Sequence, residues 1–344
     1  MLWDLFCRVI DNFGDVGVCW RLAAGLAQRG ERVRLWIDDA SALRWMAPDG
    51  AAGVMLHPWL QAETDADLVP GEVVIEAFGC DPPARFTARM AQRQPAPVWV
   101  NLEYLSAEDY VERSHGLRSP QFSGPGAGLD KWFFYPGFTP RTGGLMHPQA
   151  PPPDRQETLA ALQVAVRPDE RCVLLFCYPG SPLRALLDLL ADAPTLLLAA
   201  AGPAQSELAA QPLPPGLRAH ALPWLPQPRF DALLHATDLN LVRGEDSFVQ
   251  AQWPGRPFVW QLYAQHDGAH AAKLDAFLDR FDAATGQADP ALRALWRAWN
   301  GLGPWPDRLP AAGPWTQAAA DWRDRLMGQA DLITQLQEFV ARRR

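Results

Sequence analysis

The sequence predicts an α/β protein of two Rossmann-like domains, and three observations support this fold class. Short apolar runs alternate with helical patterns in the first half of the 344 residues. A proline-rich stretch at residues 147–153 interrupts the alternation, which begins again beyond it. The chain length, at about 150 residues per domain, also suits two domains that each bury a core.

The first domain, residues 1–150, opens with a strand–helix–strand unit. An apolar run at 5–10 predicts the first strand, a helical pattern over 16–29 ends at Gly30, and 33–37 predicts the second strand. Three further apolar runs are each followed by turn-forming or polar residues and extend the parallel sheet. These runs are residues 54–56, 73–75 and 98–100.

The second domain, residues 151–314, repeats this alternation. Strands are predicted at 172–177 and 195–201, and Ser181 and Pro182 are typical of the N-cap and first residue of a helix that runs to 190. The last clear unit is strand, turn, helix and strand, at 238–242, 243–246, 247–253 and 258–260. Residues 315–344 predict two helices, which we expect to pack back on the first domain.

The composition excludes several classes of protein. Lysine and arginine number 31 against 39 aspartates and glutamates, a formal net charge of −8, which disfavours a broad surface for nucleic-acid phosphates. Five cysteines, most of them in apolar runs, are typical of reduced, buried thiols. The sequence has neither a basic leader nor an apolar stretch of ~20 residues. We therefore expect a cytoplasmic protein without nucleic-acid or membrane partners.

Two tandem Rossmann-like domains predict a ligand cleft between the carboxyl ends of two sheets, so the residues that follow strands are the candidates. After the first strand, Gly14 and Gly17 are turn glycines, but the segment lacks the G-x-G-x-x-G pattern of dinucleotide-binding proteins. Asp11 and Asp15 place negative charge where a pyrophosphate would bind. Two such carboxylates suit a cationic acceptor or the removal of a proton. The alternative is that Asp15 caps the helix and Asp11 forms a turn.

The turn at 243–247 in the second domain has the opposite charge balance. Arg243 ends a strand, Gly244 permits the turn, and Asp246 or Ser247 is expected to cap the helix that follows. An arginine beside a helix N-terminus is a diphosphate site that needs no metal ion. The alternative is a buried Arg243 paired with Glu245 or Asp246.

Aromatic residues occupy other positions that follow strands. They are Phe176, Tyr178, Trp224 and Tyr263. Each alone is more often a core residue, but flat rings that share a location after strands suit a nucleobase or a sugar face.

Two patterns that resemble metal sites are discounted. Asp65 and Asp67 have D-x-D spacing but lie in a polar segment, which predicts a solvated loop. His266 and His270 have i, i+4 spacing without a third ligand nearby. We therefore expect no metal cofactor. The arginines at 342–344 are expected to complement a helix C-terminus.

Four blocks resemble the EarP family, bacterial protein-arginine rhamnosyltransferases that modify elongation factor P. They are WDLFCRVIDNFGDVGVCWRLA at 3–23, NLEYLSAE at 101–108, FFYPGFTPRTGGL at 133–145 and LVRGEDSFVQAQWPGRPFVWQLY at 241–263. The similarity runs over nearly the whole chain. It implies a GT-B-type inverting glycosyltransferase that needs no cofactor and moves L-rhamnose from dTDP-β-L-rhamnose to an arginine of elongation factor P.

The resemblance also implies roles for individual residues. Asp11, Asp15 and Glu245 would be the catalytic carboxylates. Trp224 would stack on the thymine, in place of a phenylalanine in the family pattern. The remaining donor-binding residues would be Phe176, Tyr178, Gln227, Arg243, Asp246, Ser247 and Tyr263. Residues 101–121 would contribute to the acceptor surface.

Other functions fit the same fold. One is a GT-B-type sugar transferase with a lipid or glycan acceptor, and another is a nucleotide-sugar epimerase. A third is a non-catalytic nucleotide-sugar sensor or scaffold. Carboxylates at Asp11, Asp15 and Glu245 favour an enzyme over a sensor.

Overall fold

A computed structural model describes residues 1–10, 13–263 and 268–344. The chain divides into two compact units. The first unit comprises Met1–Gln149 and Gln329–Arg344, and the second comprises Ala150–Gly328. Each unit contains one mainly parallel sheet with helices, which confirms the predicted α/β class.

The first unit contains a seven-stranded sheet among its described residues, in the order β3-β2-β1-β4-β5-β7-β6. Its strands are β1 (Leu2–Cys7), β2 (Arg32–Ile37), β3 (Val54–Pro58), β4 (Val73–Ala77), β5 (Val98–Leu102), β6 (Arg118–Pro120) and β7 (Asp130–Phe134). Its helices up to residue 149 are α1 (Gly14–Gln28), α2 (Leu43–Met46), α3 (Trp59–Thr64), α4 (Ala84–Gln92) and α5 (Tyr110–Ser114). Every pair of neighbouring strands is parallel except β6 and β7.

The second unit contains a five-stranded parallel sheet in the order β10-β9-β8-β11-β12. Its strands are β8 (Arg171–Leu175), β9 (Thr195–Ala199), β10 (Leu217–Ala221), β11 (Leu239–Arg243) and β12 (Phe258–Gln261). Its helices are α6 (Arg155–Ala161), α7 (Leu183–Leu190), α8 (Pro203–Ala209), α9 (Gln227–Ala236), α10 (Glu245–Gln252), α11 (Ala269–Thr285), α12 (Pro290–Trp299) and α13 (Ala312–Met327).

The two sheets share one topology. In each unit the strand order reverses beside the first strand, between β1 and β4 and between β8 and β11. Open α/β sheets bind ligands at the carboxyl ends of the strands at such a reversal. The segments that follow β1, β4, β8 and β11 are therefore the positions where the fold provides a site.

The C-terminal helices differ from the sequence prediction, which placed both on the first domain. Helix α13 lies in the second unit, where the Trp322 ring packs against Phe277 and Phe281 and its indole N–H donates to Gln252. Only the last helix, α14 (Leu332–Ala341), lies in the first unit, where its apolar face joins the core around β1. The division follows from these side-chain contacts, because both helices are amphipathic and local pattern does not distinguish their partners.

His115 couples the stability of the first unit to pH. Its ring lies edge-on to Phe134, its Nδ1 accepts a hydrogen bond from the Tyr135 amide at 3.1 Å, and burial lowers its pKa to about 4. In the unfolded chain His115 binds a proton below pH ~6.5, whereas in the folded chain it binds one only below about pH 4. The contribution of His115 to the free energy of unfolding should therefore fall by about 1–2 kcal/mol between pH 7 and pH 5.

Denaturant unfolding at these two pH values measures the effect. In His115→Asn, the Oδ1 atom can accept the same hydrogen bond but does not titrate, so the loss on acidification should shrink. An equal loss in both proteins would contradict the assignment to His115.

Candidate active site

The turn between β11 and α10 brings a cation to a helix N-terminus. Arg243 ends β11 and is only 6% exposed. Gly244 follows with φ 70° and ψ −173°, a conformation that favours glycine, and α10 begins at the next residue. Because a glycine N-cap has no side chain, it offers no acceptor to the first amides of the helix. These amides and Arg243 together form the electropositive end that suits a diphosphate.

The polar residues of this turn do not cap α10 as the sequence predicted. The Ser247 hydroxyl instead donates to the Arg243 carbonyl. Asp246 Oδ2 accepts a hydrogen bond from Gln227 Nε2 at 3.2 Å. The helix begins at Glu245, two residues before the predicted start at 247, so both side chains lie past the cap position and contact other partners.

Two of the predicted aromatic residues lie against the Arg243 guanidinium. Its central carbon lies 4.7 Å from the ring centroid of Phe176 and 4.5 Å from that of Tyr178, which are cation–π distances. The Tyr178 ring meets Tyr263 edge to face at 5.6 Å, and Tyr263 is 53% exposed. Two rings that follow β8 therefore contact the Arg243 guanidinium, and Tyr263, which follows β12, contacts one of them.

Trp224 and Gln227 lie on the segment between β10 and α9. Trp224 is 46% exposed, unusual for so large an apolar ring, and its edge borders Gly202, where an added Cβ would lie 3.5 Å from the indole. Gln227 is buried and reaches Asp246 of the Arg243 turn. All eight predicted donor-binding residues lie in the second unit.

Asp15 occupies the equivalent turn of the first unit. It is 2% exposed, and its Oδ2 accepts a hydrogen bond from the Ile10 amide at 2.8 Å. Phe13 is the N-cap of α1, so Asp15 belongs to the first turn and does not cap it. Gly14 and Gly17, which the sequence predicted as turn glycines, are the first and fourth residues of α1. Asp11 lies outside the described residues.

One neighbour of Asp15, and the ring on which that neighbour stacks, were not singled out from the sequence. The Tyr104 hydroxyl, after β5, lies 3.5 Å from Asp15 Oδ1, and its ring stacks on Phe78 at 4.2 Å. Phe78 follows β4 with φ 59°, a conformation that bulky residues rarely adopt. A sequence signal was available, since both residues follow strands.

Glu245 lies in the second unit, at the start of α10. Its Oε1 pairs with Lys273 Nζ of α11 at 2.6 Å, and both side chains are largely buried. Sequence reasoning missed Lys273, because an ion pair between two helices leaves no local pattern.

The discounted metal patterns stay outside the site. Asp65 follows α3 in an exposed turn, where its Oδ1 accepts the Asp67 amide, as expected for a solvated loop. His270 lies at the start of α11, and His266 falls outside the described residues. In the described part of the chain, no cluster of three or more histidine, cysteine or acidic residues could hold a metal ion. No helix there is long and apolar enough to cross a membrane.

Comparisons with known proteins identify the family of the chain. The model of the family described as elongation factor P (EF-P) rhamnosyltransferase EarP matches residues 3–341. A protein-arginine rhamnosyltransferase of Pseudomonas putida is 40% identical over 98% of both chains. A solved structure that describes EarP-mediated arginine glycosylation of EF-P is 29% identical over 99% of both chains, with a TM-score of 0.62.

A more distant structure supports the fold alone. The glycosyltransferase VinC, solved in complex with dTDP, is 16% identical and aligns over the full length of both chains with a TM-score of 0.56. Its two-domain GT-B architecture is the one that the two Rossmann-like units of this chain predict. The chain is therefore a glycosyltransferase of GT-B type, and with a match over nearly its entire length it belongs to EarP, the family of EF-P rhamnosyltransferases.

Proposed function

We propose that this enzyme moves L-rhamnose from dTDP-β-L-rhamnose to an arginine side chain of elongation factor P, with inversion at the anomeric carbon. The observation that carries the proposal is the buried Arg243, held between two aromatic rings at the N-terminus of α10. A guanidinium and a helix N-terminus are complementary to a diphosphate, and Trp224 offers an exposed ring for the base.

The acceptor sets the chemical problem. A guanidinium has a pKa above ~12, and its nitrogen lone pairs are delocalised into the cation, so it is a poor nucleophile until it loses a proton. In this proposal Asp11 and Glu245 orient the guanidinium through charge-assisted hydrogen bonds, and Asp15 takes the proton as the nitrogen attacks. The hydrogen bond from Ile10 fixes the orientation of the Asp15 carboxylate before the acceptor binds.

The leaving group sets the second requirement. As the nitrogen–carbon bond forms, the bond from the anomeric carbon to the diphosphate oxygen breaks, and dTDP leaves with the bonding electron pair. Arg243 and the first amides of α10 stabilise the charge that develops on it. A single displacement of this kind inverts the anomeric centre. The products are rhamnosyl-arginine, dTDP and a proton held by Asp15.

The proposal requires no metal cofactor, because Arg243 and the helix N-terminus supply the positive charge that the diphosphate needs. We also place the reaction in the cytoplasm, a reducing compartment that suits the five free cysteines of the structure.

Intact-mass analysis of elongation factor P tests the function. After incubation with the enzyme and dTDP-L-rhamnose, the acceptor should gain one deoxyhexose, and fragmentation should place it on an arginine. Elongation factor P with that arginine replaced by lysine is the matched control and should gain nothing. The proposal would be refuted if the lysine variant of elongation factor P gained the sugar. It would also be refuted if the enzyme bound the donor but left wild-type elongation factor P unmodified.

Trp224 provides a separate test of the donor site. If its exposed ring stacks on the thymine, Trp224→Ala should weaken dTDP binding by about 5- to 150-fold, the effect of losing one base–aromatic stack. Trp224→Phe keeps an aromatic face and should bind dTDP within about threefold of wild type. Calorimetric titration measures the dTDP affinity of both variants. If Trp224→Ala bound dTDP as tightly as the wild type, Trp224 would not be part of the donor site.

A further inference from the structure

The end of β12 connects the two turns that carry the predicted donor-binding residues. One is the Tyr178 turn, residues 176–181, which follows β8, and the other is the Arg243 turn, residues 243–247, which follows β11. Gln261 ends β12, is 7% exposed and lies beside both turns. It is absent from the residues that the sequence analysis singled out.

The Gln261 side chain holds the Tyr178 turn at two points. Its Oε1 accepts a hydrogen bond from the Tyr178 amide at 2.9 Å, and its Nε2 donates to Ser181 Oγ at 2.8 Å. Ser181 in turn donates to the Tyr178 carbonyl at 2.6 Å, so the turn closes on itself. The sequence predicted Ser181 as the N-cap of α7, but Pro182 is the N-cap and the Ser181 hydroxyl serves this network.

The same end of β12 holds the Arg243 turn. The Gln261 carbonyl accepts a hydrogen bond from the Gly244 amide at 3.1 Å. The preceding Trp260 donates its indole N–H to the Gly244 carbonyl at 2.8 Å, and its ring stacks on Phe248 at 3.9 Å. Both peptide groups of Gly244 are thus fixed from β12, which sets where α10 begins.

We propose that Gln261 is a positioning residue for the nucleotide-sugar site, because one buried amide side chain holds the Tyr178 turn against the strand that anchors the Arg243 turn. The Arg243 guanidinium keeps its place on the Phe176 and Tyr178 rings only while the two turns keep their separation. The inference rests on the proposed function for the identity of the ligand. In this inference Gln261 affects how tightly the donor binds and does not affect the rate of the chemical step.

Replacement of Gln261 by methionine should separate these roles. Methionine has similar length and fills the same volume, but it leaves the Tyr178 amide without its acceptor. In full-length enzyme, the dissociation constant for dTDP should rise about tenfold, the effect of one lost hydrogen bond to a buried group. The KM for the sugar donor should rise equally, while kcat at saturating donor stays within about threefold of wild type.

Gln252→Met is the matched control. Gln252 is a fully buried glutamine of the same unit, but its amide bonds the Phe248 carbonyl and the Trp322 indole, away from the Tyr178 turn. It should lower the melting temperature and leave dTDP affinity unchanged. If Gln261→Met proves unstable, Ser181→Ala removes the other arm of the network and should raise the dissociation constant in the same direction.

Amide hydrogen exchange gives a readout that does not depend on the ligand. In Gln261→Met, exchange should speed up in residues 176–181 and 243–247 and stay unchanged in the first unit. A wild-type enzyme that fails to bind dTDP would overturn the proposed donor, and the exchange pattern would still decide the role of Gln261. The inference would be overturned if folded Gln261→Met bound dTDP with wild-type affinity. It would also be overturned if amide exchange in both turns were as slow as in the wild type.

Discussion

Asp15→Asn is expected to reduce turnover by about 10²–10⁴-fold, the usual contribution of a positioned general base. Asparagine keeps the size of the side chain and can still accept the Ile10 amide through its carbonyl oxygen, so α1 should keep its conformation. It cannot take a proton from the acceptor guanidinium. The affinity for dTDP should be unchanged, because the residues proposed to bind the donor all lie in the other unit.

Asp38→Asn is the matched control for this change. The Asp38 carboxylate accepts the Val9 amide at 3.0 Å, next to the Ile10 amide that Asp15 accepts, but Asp38 is exposed. Single-turnover kinetics with saturating donor and acceptor should show wild-type rates for Asp38→Asn. If Asp15→Asn kept near-normal turnover, a group other than Asp15 would have to remove the proton from the acceptor.

Arg243→Met should weaken the binding of dTDP and of the sugar donor by about 100-fold, because the diphosphate would lose its buried cationic partner. Methionine keeps the apolar contact with Phe176 and Tyr178, so the loss reports charge and hydrogen bonding more than packing. Arg243→Lys should recover little of the affinity. An ammonium does not reproduce the flat stacking and forked hydrogen bonds of a guanidinium.

Arg155→Met separates this effect from general loss of stability. Arg155 forms a two-bond ion pair with Asp238, at 2.6 and 3.1 Å, in the same unit. Its replacement should lower the melting temperature and leave the dissociation constant for dTDP at the wild-type value. Equal dTDP affinity in Arg243→Met and wild type would exclude Arg243 from the diphosphate site.

The sequence predicted most strands of both sheets because each is a continuous apolar run in a buried parallel sheet. It missed β6 and β7, which begin with the charged residues Arg118 and Asp130, and β10, where Arg218 and His220 interrupt the apolar run. The first strand also begins earlier than predicted, at Leu2, because Asp4 is buried there with Arg34 and therefore does not mark a loop.

The predicted site residues remain predictions, and the sequence did not reveal all of their contacts. Residues that follow strands could be named because parallel strands end at one edge of a sheet, and the structure places Phe176 and Tyr178 against Arg243. Lys273 and Gln261 could not be found this way. Each acts through a long-range contact, with Glu245 and with Tyr178, and neither residue type is unusual at its position.

Helix α14 is the last helix that the ribosome makes, yet it belongs to the unit that is begun first. The second unit, residues 150–328, is synthesised completely before α14, whose side chains Leu336 and Phe339 belong to the core of the first unit. Domains generally fold as units when their residues have emerged. The first unit therefore begins to be synthesised before the second unit but completes its fold after it. Until α14 is made, the apolar surface that this helix covers stays exposed while the second unit folds.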